Sequence, residues 1–200
     1  AVNNKGVRQA RVHGLDRRAA MITLEPFHPE RQLITTVTPR NFVSAGGKDF
    51  VDMPALAAIA KTESFNKTLA LKSKAEALKE LTGKATFPVK MPMPYNVSQT
   101  DWVNRVQVVE QQMEGLLGKD FIDTIPVSYP ATGFLDKTRR PGFYAMQECR
   151  WGPDYADPQT YTDPFVAGTN YNRPEFAAGY TDKNGKPKYD NLVTTAMAEV

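Results

Sequence analysis

The clearest alternation of apolar and polar positions runs from Ala85 to Tyr95, ATFPVKMPMPY, where Phe87, Val89, Met91, Met93 and Tyr95 take every second place. A period of two is that of a strand. Pro88, Pro92 and Pro94 bring no N–H to a ladder, so they predict an edge position or a strained exit. The period then changes. In Asp101–Leu117, Trp102, Val106, Val109, Met113, Leu116 and Leu117 recur at helical spacing, and Gly118 supplies the stop. Phe121–Tyr129, FIDTIPVSY, predicts a second strand. Strand, helix, strand in this order is a βαβ unit, whose parallel strands are almost always joined by a right-handed crossover.

The rest of the chain divides around this unit. Asn3 or Asn4 can cap a first helix carrying Val7, Ala10, Arg11 and Leu15, and Asp16 can restart a short turn, DRRAAMITL. Arg8, Arg17 and Arg18 read as a solvated face, and His13 as a surface or half-buried side chain. Pro26, Pro29 and Pro39 break the next region, with QLITTVTP between them as a short β-branched run, a strand or extended segment. Asn41–Asp52 holds Gly46-Gly47 and predicts a surface loop, while DMPALAAIAKT predicts a helix starting at Pro54. Leu69–Leu81 predicts an amphipathic helix with Leu71, Ala75, Leu78 and Leu81 on its apolar face and its lysines in water. Phe143–Cys149, FYAMQEC, predicts a buried strand. Ala131–Gly142 predicts a loop or short helix, Ala167–Pro187 a loop with a turn at DKNGKP, and Tyr189–Val200 resumes a helical pattern.

Composition narrows the classes of function. The chain has 200 residues, 41% apolar and 24% charged, enough for a sizeable core in a globular domain. A net charge of +3 with both signs mixed gives no basic stripe, which argues against nucleic acid as a partner. The single cysteine, Cys149, excludes an internal disulfide and a cysteine metal cage, and with only His13 and His28 the chain offers no zinc-enzyme pattern. No apolar run approaches the roughly 18 residues that a membrane helix needs. The chain begins almost directly in one helical pattern and stops inside another, so residues 1–200 are expected to be a single excised domain.

Candidate chemistry gathers in Trp151–Phe165, WGPDYADPQTYTDPF. Gly152-Pro153 stops a strand, because proline has no N–H and holds φ near −65°. Asp154 then stands beside Tyr155, ahead of Asp157-Pro158 and Asp163-Pro164, which are turn or helix-start signals. On residue chemistry alone Asp154 reads either as a ligand carboxylate or as an Asx-type turn cap accepting local N–H groups. Trp151 reads equally as core packing or as a contact surface. Asp157 and Asp163 read as turn or cap residues, and Cys149 as a small buried apolar side chain. An enzyme using Asp154 and Asp157 as an acid/base pair lacks a supporting histidine, metal set or glycine-rich phosphate loop.

Four stretches together resemble one family. VRQARVHGLDRRAAM, SKAEALKELTG with the following strand FPVKMPMPYN, DWVNRVQVVEQQMEGLLG, and above all WGPDYADPQTY are similar, in order and spacing, to the C-terminal lobe of family 5 extracellular solute-binding proteins, the oligopeptide and dipeptide receptors of ABC importers. His13-Gly14 departs from the apolar or aromatic residues usual there. The resemblance implies an α/β fold: a periplasmic-binding-protein-like lobe of type II, with a mixed, partly parallel sheet flanked by helices. It implies a binding protein rather than an enzyme, with no cofactor or metal, at the periplasmic or extracellular face of the membrane. The implied partners are a peptide ligand, a missing N-terminal lobe and ABC permease subunits, with the membrane reached only through the parent protein's anchor. By the same resemblance Asp154 pairs with the ligand's α-ammonium while Trp151 and Tyr155 supply flat walls. Non-peptide receptors of the family take nickel chelates, haem or sugars, and these remain open as ligands.

Overall fold

In the computed structural model, which describes residues 1–142, 144–148, 150–166, 169, 181–185 and 188–198, helices begin where the sequence supplies an acceptor for their free N–H groups. Asn4 Oδ1 accepts the Val7 N–H at 3.1 Å and starts α1, Lys5–Gly14. Asp16 Oδ1 accepts the Ala19 N–H at 3.0 Å and starts α2, Arg17–Met21. A 3-10 turn at Pro29–Gln32 precedes a minimal antiparallel hairpin of β1, Ser44–Ala45, and β2, Lys48–Asp49. Gly46 and Gly47 join them with φ of 57° and 75°, the positive values a type I′ turn requires. A 3-10 turn, Phe50–Asp52, leads to α3, Pro54–Ala60, with proline at its first position. Asn66 caps α4, Lys67–Leu81, and then come β3, Val89–Asn96, α5, Thr100–Leu117, and β4, Ile122–Tyr129. A π-helical turn at Leu135–Arg139 is followed by α6, Gln159–Thr162, a 3-10 turn at Asp163–Phe165, and α7, Lys188–Ala198.

The chain divides into two compact units. The first is Ala1–Thr35, Thr62–Phe134 and Phe143–Glu148; the second is Thr36–Lys61, Leu135–Gly142 and Cys149–Val200.

In the first unit β3 and β4 pair in parallel from Val89↔Ile122 to Asn96↔Tyr129, as the βαβ pattern predicts. Val89, Met91 and Met93 point into a core shared with Val106, Val109, Met113 and Leu117 of α5 and with Phe121 and Ile122. Polar residues buried on α5 have defined work. Arg105 donates through Nε to Glu148 at 2.9 Å and through Nη2 to Asp101 at 2.7 Å. The buried Glu114 accepts the Thr124 N–H of β4 at 3.0 Å.

Three expectations need correction. First, residues 144–148 form no strand beside β3; Phe143 and Cys149, at the ends of that run, lie outside the described residues. The Val89 and Val97 N–H groups bond to Phe121 and Tyr129, so the odd positions of β3 face β4 and the even ones face away. Two even positions are Pro92 and Pro94, which have no N–H. A ladder cannot form there. The Pro92 carbonyl is instead taken by the N–H groups of Ala145 at 2.9 Å and Met146 at 3.3 Å.

Second, α4 buries its small face. Ala70, Ser73 and Ala77 are buried, whereas Leu71, Ala75 and Leu78 are exposed. The cause lies on α1, where a Cβ at Gly6 would stand 2.9 Å from the Ser73 carbonyl oxygen and 3.0 Å from Ala77 Cβ. Only small residues permit that approach, so Gly6, Val7 and Ala10 meet Ala70, Ser73 and Ala77. Lys74 is not solvated either: it donates to the Leu117 carbonyl at 2.5 Å, at the C-terminal end of α5, with its ammonium 5.5 Å from the Phe121 ring centroid.

Third, QLITTVTP forms no strand. Within it Thr36 Oγ1 donates to the Thr38 carbonyl and Arg17 Nη1 donates to the Ile34 carbonyl. At Thr35–Thr36 the chain passes from the first unit to the second.

Candidate functional site

In the second unit Trp151–Phe165 folds as an extended entry followed by a tight helical turn. Asp157 makes the turn. Its Oδ1 accepts the Gln159 N–H at 2.7 Å and its carbonyl accepts the Thr160 N–H at 3.1 Å, the Asx pattern expected ahead of Pro158. The chain then runs through α6 into the Asp163–Phe165 turn, where the Val166 N–H closes on the Asp163 carbonyl at 3.0 Å.

This turn holds the three expected site residues by polar contacts. Trp151 donates its indole Nε1–H to the Thr160 carbonyl at 2.7 Å. The Asp154 backbone N–H donates to Thr160 Oγ1 at 3.0 Å, and the Tyr155 hydroxyl donates to Asp163 Oδ2 at 2.9 Å. All three residues line one pocket of about 190 Å³ together with Thr160, Asp163, Pro164 and Thr169. The Asp154 side chain is exposed, and its carboxylate has no hydrogen bond or ion pair among the described residues. The Asx-cap role belongs to Asp157, three positions on.

The pocket is acidic. The Tyr155 phenol is pushed up to about 12, first by desolvation, then by its hydrogen bond to Asp163 and the charges of Asp163, Asp157 and Asp154. Ionising that phenol would add a negative charge to a neighbourhood already carrying three. A cation placed in the pocket meets the opposite condition and is favoured there. Among the described residues no group of three or more His, Cys, Asp or Glu side chains is arranged to hold a metal ion.

Two residues of the pocket escape a reading of the sequence in these roles. Asp163 is not a local cap; it receives a hydroxyl from eight positions earlier. Thr160, only 1% exposed, serves Trp151 with its carbonyl and Asp154 with its hydroxyl. Neither contact has a fixed sequence spacing that could signal it, because both depend on how the chain reverses at Pro158.

No family model matches the chain. It is 30% identical over 185 residues to the oligopeptide-binding protein AliB of Streptococcus pneumoniae, an alignment covering 82% of this chain and 28% of that protein. Over most of its length the chain is thus similar to an oligopeptide-binding protein. A second, AliA of S. pneumoniae, is 28% identical over 228 residues and matches 100% of this chain and 34% of its own length. The chain thus spans about a third of the curated oligopeptide-binding proteins it matches. A crystal structure of an oligopeptide ABC transporter substrate-binding domain from Bacillus anthracis superposes with a TM-score of 0.77 at 23% identity, over 98% of this chain and 34% of that one. The fold is therefore the periplasmic-binding-protein-like α/β fold of such domains, with its parallel pair at β3 and β4.

Proposed function

We propose that this chain is the C-terminal ligand-binding lobe of a two-lobed substrate receptor for an ABC importer, and that it captures peptides by their free N-terminus. The observation that carries this reading is the carboxylate of Asp154. It stands without a partner among the described residues, in an acidic pocket whose rings, Trp151 and Tyr155, are tethered by hydrogen bonds to Thr160 and Asp163. An α-ammonium would make a charge-assisted hydrogen bond to it, about twice as strong as a neutral one. The volume, about 190 Å³, is below the roughly 300 Å³ at which whole-ligand sites begin, and so suits one terminus of a longer ligand. The remainder of the peptide would be held by parts of the receptor beyond this chain, largely through main-chain hydrogen bonds that tolerate varied side chains.

Binding, rather than catalysis, also fits the fate of the carboxylates. An acid/base pair of Asp154 and Asp157 would need Asp157 free, and its Oδ1 is committed to the Gln159 N–H. The names of the relatives, oligopeptide-binding proteins, agree with this reading. The receptor would work on the outer face of the bacterial membrane, delivering peptide to permease subunits. No described helix is long and apolar enough to cross a membrane, and attachment would rest with the rest of the receptor.

Titration calorimetry on the full-length receptor tests the reading, with alanine oligomers of graded length as free and N-acetylated forms. Asp154→Asn is expected to weaken free peptides by about 1.5–3 kcal/mol, the range for a hydrogen bond to a charged group. Equal affinity of the wild type for free and acetylated peptides would overturn amine capture. The isolated chain is expected to bind far more weakly than the full receptor, and micromolar binding by it alone would overturn the two-lobed arrangement.

A further inference from the structure

We infer that Thr160 is the residue that positions Asp154 for the ligand, a role that rests on the amine-capture reading above. Thr160 is 1% exposed, and its polar atoms meet three parts of the loop. Its N–H donates to the Asp157 carbonyl at 3.1 Å, its carbonyl accepts the Trp151 indole N–H at 2.7 Å, and its Oγ1 accepts the Asp154 N–H at 3.0 Å. A buried β-branched side chain has little freedom at χ1, so the hydroxyl is a fixed acceptor. On its other side Asp154 follows Pro153, whose ring holds φ near −65°. The Pro153 ring thus removes one torsion ahead of Asp154, and Thr160 Oγ1 holds the N–H end of the peptide plane that enters it. That plane sets where the exposed carboxylate starts from. Without the Thr160 hydroxyl the Asp154 N–H turns to water, the backbone gains freedom, and the carboxylate no longer stands at one place in the pocket. The contribution is to aim, not to contact: the hydroxyl is spent on the Asp154 backbone.

The test uses the full-length receptor and the ratio of affinities for free and N-acetylated alanine oligomers. Thr160→Val keeps the shape and removes the acceptor; it is expected to lower the ratio about fivefold, the worth of one neutral hydrogen bond. Thr160→Ser, which restores the hydroxyl, is expected to stay within about twofold of the wild type, and Thr160→Val added to Asp154→Asn should change the ratio no further. A purely structural threonine would weaken both peptide forms alike, so an unchanged ratio in Thr160→Val overturns the assignment. So does an equal fall in Thr160→Ser. Should Thr160→Val not fold, Thr160→Ala carries the same comparison. A wild-type ratio of one removes amine capture itself and this assignment with it. A discriminating wild type with an undiminished Thr160→Val removes only the assignment.

Discussion

The β3–α5–β4 unit and the Trp151–Phe165 loop are built on opposite principles. The first is held by area: Met91, Val106, Met113, Leu117, Phe121 and Ile122 lose almost all contact with water, and each methylene buried contributes about 0.8 kcal/mol. The second is held by direction. Trp151, Asp154 and Tyr155 are each fixed through one hydrogen bond to the turn at 159–163, and Tyr155 remains 44% exposed. Area tolerates small displacements and resists loss of any single polar atom. Direction does neither, which is the property that the proposed ligand contact at Asp154 would require.

Substitutions should separate the two regimes. The largest effect is expected in the core, where Phe121→Ala should cost about 3–5 kcal/mol in denaturant unfolding. A loss below 1 kcal/mol there would show that burial is not what holds the unit. Arg105 tests the polar exception inside that core. Its side chain is 8% exposed and pairs with Asp101 and Glu148, which are 22% and 20% exposed. Arg105→Ala should cost about 1.5–3 kcal/mol, and salt should change this little because the cation is buried. Gly6→Ala should cost about 1–3 kcal/mol by forcing α1 and α4 apart, and a neutral result would mean that the helices separate freely. In the loop, Tyr155→Phe should change stability by no more than about 1 kcal/mol.

Its signature is in titration. The phenol holds its proton from the ordinary value of 10.0 up to about 12. The stability linked to that proton is therefore complete below pH 10 and is lost as pH rises through 12. The ultraviolet difference between wild type and Tyr155→Phe should show this one tyrosine titrating late, and Asp163→Asn should bring it earlier. A Tyr155 that titrates at the ordinary value would break the contrast between the two regions.

The same contrast explains what the sequence disclosed. The β3–α5–β4 unit was legible almost to the residue because large apolar side chains at regular spacing reach a core whatever else surrounds them. The packing of α4 is not legible in its sequence because it uses Ala70, Ser73 and Ala77, whose small size matters only against Gly6 of a distant segment. The apolar run at 143–149 carried the composition of a strand. The prolines that deny it a ladder belong to its neighbour, and composition within one segment cannot reveal that. In the loop the turn chemistry of Asp157 was legible, since an Asx turn is local. Thr160 and Asp163 were not, because their partners lie six to nine positions away across a reversal.

The outer side of β3 carries a further consequence. An edge with backbone groups exposed on one side is a template on which another chain can add a strand. Here positions 92 and 94 have nothing to donate, and the Pro92 carbonyl is already taken by Ala145 and Met146. The segment that fails to become a third strand thus occupies the place where a foreign one would begin. Pro92 and Pro94 thereby withhold two of the donors that an added strand would need. Restoring the donors by Pro92→Val and Pro94→Val would complete a ladder position at the risk of inviting aggregation along it.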